Sequence, residues 1–270
     1  MQGRLSPQVG TRVQAFPWKV WEHEFSLAQK LGFCILEWTL DQERLEQNPL
    51  MNIDGQKRIK ALSQRHKILI PALTGDCFMQ APFWKQKGRC REKLQNDFLS
   101  VAVACSLLGI SLLVVPLVDE GKIASGAEQK ILINFFRDQT RFLKSSKLKI
   151  ALETDYSPQK TLKLLDPLDP KVFGINYDIG NSASFGYKFQ EEFEAYGTRI
   201  FHVHVKDRLL GGLSVPLGKG NACFPGVFRG LTELGYDGLY VLQTARACNG
   251  KHAEALISYR SKVEQWIQGK

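Results

Sequence analysis

The recurrence of short apolar runs, each followed by a stretch of helical periodicity, constrains the fold more than any other feature of the sequence. Seven runs are clear, and they cover residues 34–38, 68–74, 112–117, 148–153, 173–178, 200–205 and 239–243. From the middle of the first run at residue 36 to the middle of the last at residue 241, six steps cover 205 residues, or about 34 residues each. That is the size of one strand with its helix and loops. Because the runs are apolar throughout rather than at alternate positions, they predict parallel strands that are covered on both faces.

The length of the chain selects one architecture among the parallel α/β folds. Its 270 residues, with an eighth short strand expected at residues 1–5, match a closed barrel of eight strand–helix units, which takes ~250 residues. A doubly wound sheet would need a Gly-rich turn after its first strand, but Gly218-Lys-Gly220 follows no apolar run directly and lacks the third glycine. We therefore predict an α/β fold, a single (β/α)8 TIM barrel with a closed parallel sheet, as one domain over residues 1–270.

Composition and charge narrow the class of protein. With 44% hydrophobic residues and 28 aromatic ones (16 Phe, 7 Tyr and 5 Trp), the chain is not a disordered or fibrous protein. Its six cysteines form no C-x-x-C pair, and its first residues lack an apolar secretory core, so we expect a reduced, cytoplasmic protein. The 36 Lys and Arg residues exceed the 27 Asp and Glu residues by nine, which suits anionic ligands but by itself describes only non-specific attraction.

One uncharged stretch, residues 101–118, reaches the lower length limit of about 18 residues for a membrane-spanning helix. Gly109 interrupts it, and the residues after Gly109 are rich in the β-branched and large apolar types that strands prefer. The stretch therefore predicts a packed helix that ends before Gly109 and then a buried strand. No membrane partner is expected.

Polar residues close the apolar runs, and in a barrel the reactive side chains come from these carboxyl ends of the strands. The residues in such positions are Arg4, Trp38, Thr74 with Asp76, Pro116 with Asp119, Glu153, Asp178, His204 and Gln243. The last four lie on successive strands and offer two carboxylates, an imidazole and an amide. Mixed oxygen and imidazole ligands without a thiolate suit one divalent metal ion, namely Mn²⁺, Mg²⁺, Co²⁺ or Zn²⁺.

Several of these residues lie within longer motifs. The motifs are Ala-Leu-Glu at 151–153, Asn-Tyr-Asp-Ile-Gly-Asn at 176–181, His-Val-His-Val-Lys-Asp-Arg at 202–208, Gly218-Lys-Gly220, Leu-Gly-Tyr-Asp-Gly at 234–238 and Val-Leu-Gln at 241–243. With them, essentially the whole chain resembles the xylose-isomerase-like TIM barrels of sugar and sugar-phosphate isomerases and epimerases. The resemblance implies one metal held by Glu153, Asp178, His204 and Gln243. It also implies a Glu where this chain has Gln243, and commonly a His where it has Asn181.

The resemblance implies removal of a proton next to a carbonyl group that the metal polarises. Glu153 is then the base, and return of the proton to the same face isomerises an aldose and a ketose. Epimerisation needs a second donor, and His202, Lys206 and Asp76 remain open for that role. An amide neither gives nor takes a proton near neutral pH, so Gln243 does not serve as the second carboxylate of a two-glutamate epimerase.

The remaining candidates are expected to bind a small-molecule sugar or sugar phosphate. Guanidinium groups of Arg4, Arg208 and Arg246 suit phosphate or hydroxyl groups, although a surface role is the alternative for each. The full set of expected substrate-binding residues is Arg4, Trp38, Asp76, Asn181, His202, Lys206, Arg208 and Arg246. A homo-oligomer is compatible with the fold, but no feature of the sequence requires one.

Two other functions compete with the isomerase or epimerase. A non-catalytic or repurposed sugar-binding barrel would explain Gln243 as the record of a lost carboxylate. An abasic-site endonuclease on the same kind of barrel would suit the positive charge, but its three-zinc cluster requires many histidines. The chain has five, and His23, His66 and His252 fall in segments with helical periodicity. Nucleic acid is therefore not an expected partner.

Overall fold

A computed structural model describes residues 3–10, 12, 14–247 and 250–269. The described chain divides into two compact units. The first comprises residues 1–154 and 164–174, and the second comprises residues 155–163 and 175–270. The prediction of one domain over residues 1–270 stays a prediction.

Parallel strands alternate with helices in the first unit. Its strands, paired in chain order, are β1 (Trp38–Thr39), β2 (Ala72–Thr74), β3 (Leu112–Leu117) and β4 (Lys149–Thr154). Its helices are α1 (Trp21–Lys30), α2 (Ile53–His66), α3 (Asp76–Gln80), α4 (Gly88–Leu108) and α5 (Gly126–Ser145). Helix α6 (Pro158–Leu165) and strand β5 (Phe173–Asp178) each carry residues of both units.

The second unit continues the alternation and adds a short antiparallel pair. Its remaining strands are β6 (Ile200–Val205), β7 (Asp207–Arg208), β8 (Ser214–Val215) and β9 (Leu239–Leu242). The order β5-β6-β9 is parallel, whereas β7 and β8 form a separate two-stranded ribbon. Its helices are α7 (Ile179–Phe185), α8 (Phe189–Tyr196), α9 (Phe224–Glu233) and α10 (His252–Ile267).

The expectation of a closed sheet of eight strands is wrong for the described residues, in which seven strands make up the parallel sheet. The eighth strand was expected at residues 1–5, of which residues 1 and 2 lie outside the described part. The other three residues are in turns and bends. Their backbone is held by a side chain instead of a neighbouring strand, because Gly3 and Leu5 donate N–H groups to the Glu24 carboxylate at 2.6 and 3.2 Å. The α/β alternation itself is confirmed.

The ends of the elements follow from local chemistry. Helix α4 stops at Leu108 because Gly109 takes the left-handed conformation, with φ of +74°, and strand β3 starts at Leu112. The prediction of a helix and then a strand in residues 101–118 is confirmed. Ser125 caps helix α5 and Asn52 caps helix α2, each by accepting an N–H group of the first turn. Within the described residues, no helix combines the length and the apolar character that crossing a membrane would require.

Aromatic side chains fill the core of each unit. In the first unit, Phe83, Phe98, Phe135 and Phe136 pack with ring centroids 4.7–6.4 Å apart. Each fully buried Phe contributes roughly 1.5–3 kcal/mol relative to an exposed one. In the second unit, Trp266 stacks on Phe224 at 4.5 Å and also contacts Phe228, which fixes helix α10 against helix α9.

Candidate functional site

Strands β5 and β6 place four polar side chains on one face of the second unit. Their register pairs Asn176 with His202 and Asp178 with His204. Paired residues in neighbouring strands share a face, and alternate residues along a strand return to it. All four side chains are buried, with at most 3% of their surface exposed. Burial of so many polar groups in two strands is unusual for a plain core and marks this face as a candidate site.

Asp178 joins the strand to the next helix and also faces a cation. Its Oδ1 accepts the backbone N–H group of Asn181 at 2.8 Å, which caps helix α7. Its Oδ2 accepts a hydrogen bond from Lys206 Nζ at 2.9 Å, and the same ammonium donates to Gln243 Oε1 at 3.2 Å. One oxygen of Asp178 therefore caps the helix, while the second oxygen belongs to a polar cluster with Lys206 and Gln243.

The imidazole of His204 is held by an amide. A hydrogen bond of 2.9 Å joins the side-chain amide of Asn176 to Nδ1 of His204. The contact atom of Asn176 is the amide nitrogen Nδ2, which donates, so Nδ1 accepts with its lone pair and a neutral imidazole carries its proton on Nε2. The His202 ring lies 5.1 Å from the His204 ring, centroid to centroid, in an edge-on orientation.

Two of the expected substrate-binding residues meet each other. Arg208 Nη1 donates to Asn181 Oδ1 at 2.8 Å, and its other nitrogens donate to the carbonyl of Gly212 at 2.8 and 3.1 Å. The guanidinium plane is thereby fixed by Asn181 on one side and by the turn between β7 and β8 on the other. Arg246 lies in the segment after strand β9 and is partly buried.

The first unit carries its own acidic side chains at the ends of strands. Glu153, 6% exposed, lies on strand β4 opposite Pro116 of strand β3. Glu37 is fully buried just before strand β1, and Thr74 Oγ1 donates to its Oε1 at 2.6 Å. Asp76 begins helix α3, where its Oδ2 accepts a hydrogen bond from Gln14 Nε2 at 3.1 Å.

Two other expected substrate-binding residues of the first unit are buried. Trp38 is fully buried against Phe16 and Trp21, and its indole N–H group donates to Asn48 Oδ1 at 3.1 Å. Arg4 is 4% exposed and lies between the two residues whose N–H groups bind Glu24. Burial raises the pKa of Glu24.

A sequence comparison identifies the family to which the chain belongs. Residues 25–262 match the family model described as xylose isomerase-like TIM barrel. The chain belongs to this family. The match covers most of both units, so the TIM-barrel-like α/β fold and the resemblance inferred from the motifs are confirmed.

Individual relatives of this xylose isomerase-like barrel are distant. The L-ribulose-5-phosphate 3-epimerase UlaE of Escherichia coli strain SMS-3-5 is 23% identical over 98% of this chain and 96% of its own. Uncharacterized protein MJ1311 of Methanocaldococcus jannaschii is 31% identical, but over only 42% of this chain and 40% of its own. The crystal structure of the IolI protein with a bound zinc atom superposes with a TM-score of 0.73 at 20% identity, over 92% of each chain. Relatives and structural neighbours thus include sugar epimerases.

The structural roles of some buried polar residues were not predicted from the sequence. Glu37 was missed, although it lies inside an apolar run and a charge in such a run is a signal that could have identified it. Asp207 is fully buried and accepts the N–H groups of Gly218, Gly220 and Ala222 at 2.8–3.1 Å. A Cβ at Gly220 would come within 2.2 Å of Asp207 Oδ1, so the glycine permits this close approach. The motif Gly218-Lys-Gly220 therefore serves a loop anchored by Asp207.

A further buried carboxylate lies in the second unit. Glu192 of helix α8 accepts hydrogen bonds from the hydroxyls of Tyr177, Ser182 and Tyr196. Burial raises the pKa of Glu192, and the three hydroxyl donors oppose that rise. A cavity of about 350 Å³ is lined in part by Tyr177 and Ser182 and by none of the expected site residues. The hydroxyl donors to Glu192 and the two donors to Asp178, which are Asn181 and Lys206, are different residues.

Proposed function

We propose that this barrel is a metal-dependent isomerase or epimerase of a sugar or sugar phosphate, with Glu153 as the base. The observation that carries the proposal is the pairing of Asp178 with His204 on neighbouring strands, both buried and both fixed by partners. Family membership and the epimerase relatives support the class of reaction. A phosphorylated or otherwise anionic sugar is the substrate that the net charge of +9 favours.

The donor set fits a divalent metal ion. Two groups of buried acidic and histidine side chains have the chemistry to hold one: Glu153, Asp178 and His204, and Glu37, His202 and His204. We propose the first group, with Gln243 as a fourth ligand, because it matches the motifs of the family. Carboxylate, imidazole and amide donors suit Mn²⁺, Mg²⁺, Co²⁺ or Zn²⁺. When bound, the cation would supply the positive charge that polarises a substrate carbonyl.

The other residues have proposed roles in proton transfer and substrate binding. For aldose–ketose isomerisation, Glu153 takes the proton from the carbon next to the carbonyl and delivers it on the same face to the former carbonyl carbon, while a proton passes between the two oxygens. For epimerisation, the second donor comes from His202, Lys206 or Asp76. Hydroxyl or phosphate groups of the sugar are bound by side chains drawn from the set Arg4, Trp38, Asp76, Asn181, His202, Lys206, Arg208 and Arg246.

A sugar-binding barrel without catalysis is the second candidate. The hydrogen bond that Gln243 Oε1 accepts from Lys206 favours it, since this contact gives the amide a purely structural use. An abasic-site endonuclease has no comparable support. His23, His66 and His252 lie on helices α1, α2 and α10, as the sequence indicated, rather than at strand ends.

The test is exchange of solvent deuterium into a panel of ketoses and sugar phosphates in the presence of Mn²⁺, followed by mass spectrometry. We expect exchange at the carbon next to the carbonyl with the wild type. The Glu153→Gln variant should lose at least about 100-fold in exchange rate, since a positioned general base typically contributes 10²–10⁴-fold. Glu194→Gln, at an exposed position of helix α8, is the matched control and should exchange like the wild type.

Three outcomes are decisive. Exchange that persists in Glu153→Gln would rule out Glu153 as the base. Binding of sugars without exchange by the wild type would favour the non-catalytic barrel. Inversion at a carbon, seen by chromatography of the products, would identify an epimerase, whereas aldose–ketose conversion would identify an isomerase.

A further inference from the structure

Lys206 places a cation against two oxygens that the proposed function assigns to the metal. Its Nζ lies 2.9 Å from Asp178 Oδ2 and 3.2 Å from Gln243 Oε1. The side chain of Asp178 is 1% exposed and that of Lys206 is 15% exposed, so the pair is almost entirely out of water. An ammonium group has three donors and no acceptor, and two of its donors are directed at these oxygens.

The path of the Lys206 side chain is shaped by Gly180. A Cβ at Gly180 would lie 2.7 Å from Cγ of Lys206 and 3.0 Å from its Cβ. Gly180 is in the first turn of helix α7, which Asp178 caps, and Lys206 directly follows strand β6. Both backbones are thus fixed by regular structure, and only a residue without a side chain at position 180 leaves room for the lysine stem.

The charges of this cluster mean that Lys206 affects how a divalent cation binds. Asp178 carries one negative charge, Lys206 balances it, and Gln243 adds none. A divalent cation that approached Asp178 would meet a positive charge a few ångströms away in a buried setting, where like charges repel far more strongly than in water. A glutamate in place of Gln243 would have offset that repulsion.

We propose that Lys206 is a built-in competitor of the metal ion. Its ammonium shares Asp178 and Gln243 with the cation, so that the site binds divalent metal weakly unless the lysine leaves its position between them. Lys206 then acts on metal occupancy as a positioning residue, and Gly180 keeps it in place. This inference rests on the metal site of the proposed function.

The test is calorimetric titration of the intact protein with MnCl₂, with Co²⁺ absorption spectra as a second readout of the ligands. Lys206→Met keeps the length of the side chain and removes its charge. We expect it to bind Mn²⁺ at least about tenfold more tightly than the wild type, in the range by which groups around a metal site commonly alter affinity. Gly180→Ala keeps every charge but displaces the lysine stem, so its affinity should rise as well.

Lys188→Met is the matched control, because it removes one positive charge from an exposed side chain of the same unit. It should bind Mn²⁺ like the wild type. Equal or weaker binding by Lys206→Met than by a metal-binding wild type would overturn the competition and leave the proposed function standing. Failure of both the wild type and Lys206→Met to bind metal would overturn both proposals. If Gly180→Ala does not fold, as judged by circular dichroism, Lys206→Met decides alone.

Discussion

Two buried carboxylates of the second unit, Asp178 and Glu192, accept hydrogen bonds from different kinds of donor. Asp178 receives one backbone N–H group and one ammonium group. Glu192 receives hydroxyl groups from Tyr177, Ser182 and Tyr196 and has no cation among these donors. They are similarly buried, with 3% of each residue exposed. Burial alone therefore does not distinguish a structural carboxylate from one that faces charged ligands.

The difference lies in what each carboxylate organises. The hydroxyl donors of Glu192 come from strand β5 and from helices α7 and α8, so this residue connects elements of the unit. Burial raises the pKa values of Tyr177 and Tyr196 well above their usual range, which keeps both hydroxyls protonated as donors. Asp178 instead orients Lys206 together with Gln243. We infer that Glu192 stabilises the fold and that Asp178 serves the site.

The largest effect that this comparison predicts is on stability. Glu192→Ala removes the acceptor of three buried hydroxyls, and each buried donor left without a partner costs about 1–3 kcal/mol. We expect the free energy of unfolding, measured by urea denaturation, to fall by about 3 kcal/mol. Glu194→Ala on the same helix is exposed and should change it by less than about 0.5 kcal/mol. A similar decrease in the free energy of unfolding of both variants would contradict the structural role inferred for Glu192.

A smaller effect on stability is expected at Asp178, together with a larger one on metal binding. Asn caps helices about as well as Asp, so Asp178→Asn keeps the cap of helix α7 and loses only the ion pair with Lys206. Lys206 loses one hydrogen-bond partner and keeps Gln243, so the free energy of unfolding should fall by about 1–2 kcal/mol. The affinity for Mn²⁺ should fall by at least about 100-fold, since even outer partners of metal ligands change affinity 10–100-fold. Calorimetric titration that shows wild-type affinity would place Asp178 with Glu192 as a structural residue.

Much of the fold follows from the sequence because local patterns determine it. Strands β3, β5 and β6 have the bounds of their apolar runs, since a continuous apolar segment of this length between turn residues favours a buried strand. The expected strand at residues 1–5 is absent from its described part because its polar partner is Glu24, 19–21 residues away in sequence. A short segment held by one distant side chain leaves no periodicity from which to infer it.

The candidate site was likewise predictable from the sequence only in part. Asp178 and His204 were identified because each ends an apolar run, and their pairing follows from parallel strands in register. The contact between Lys206 and Gln243 spans 37 residues and depends on the path that Gly180 leaves open. The two residues belong to different motifs, at 202–208 and 241–243, so the sequence identified both residues but not their contact. The Glu192 cluster was missed because its hydroxyl donors are ordinary helix and strand residues whose meeting is set only by packing.

The smallest predicted effect is the dependence of stability on pH, and it tests the Glu192 half of the comparison. Burial raises the pKa of Glu192 in the folded protein above its value in the unfolded chain. Between these two pKa values the folded state binds more protons than the unfolded state, so the free energy of unfolding contributed by Glu192 decreases as pH rises. Glu192→Gln has no proton to lose. The stability of the wild type relative to Glu192→Gln should therefore be greatest below about pH 4.3, the ordinary pKa of Glu, and decrease above it.

Urea denaturation of both proteins at several pH values from about 4 upward measures this difference, with Glu194→Gln as the exposed control. A difference that increases with pH would mean that the three hydroxyl donors outweigh burial and lower the pKa of Glu192 in the folded protein. Since hydroxyl groups can stabilise an anion but cannot neutralise it, the decreasing difference is the result that the surroundings of Glu192 favour.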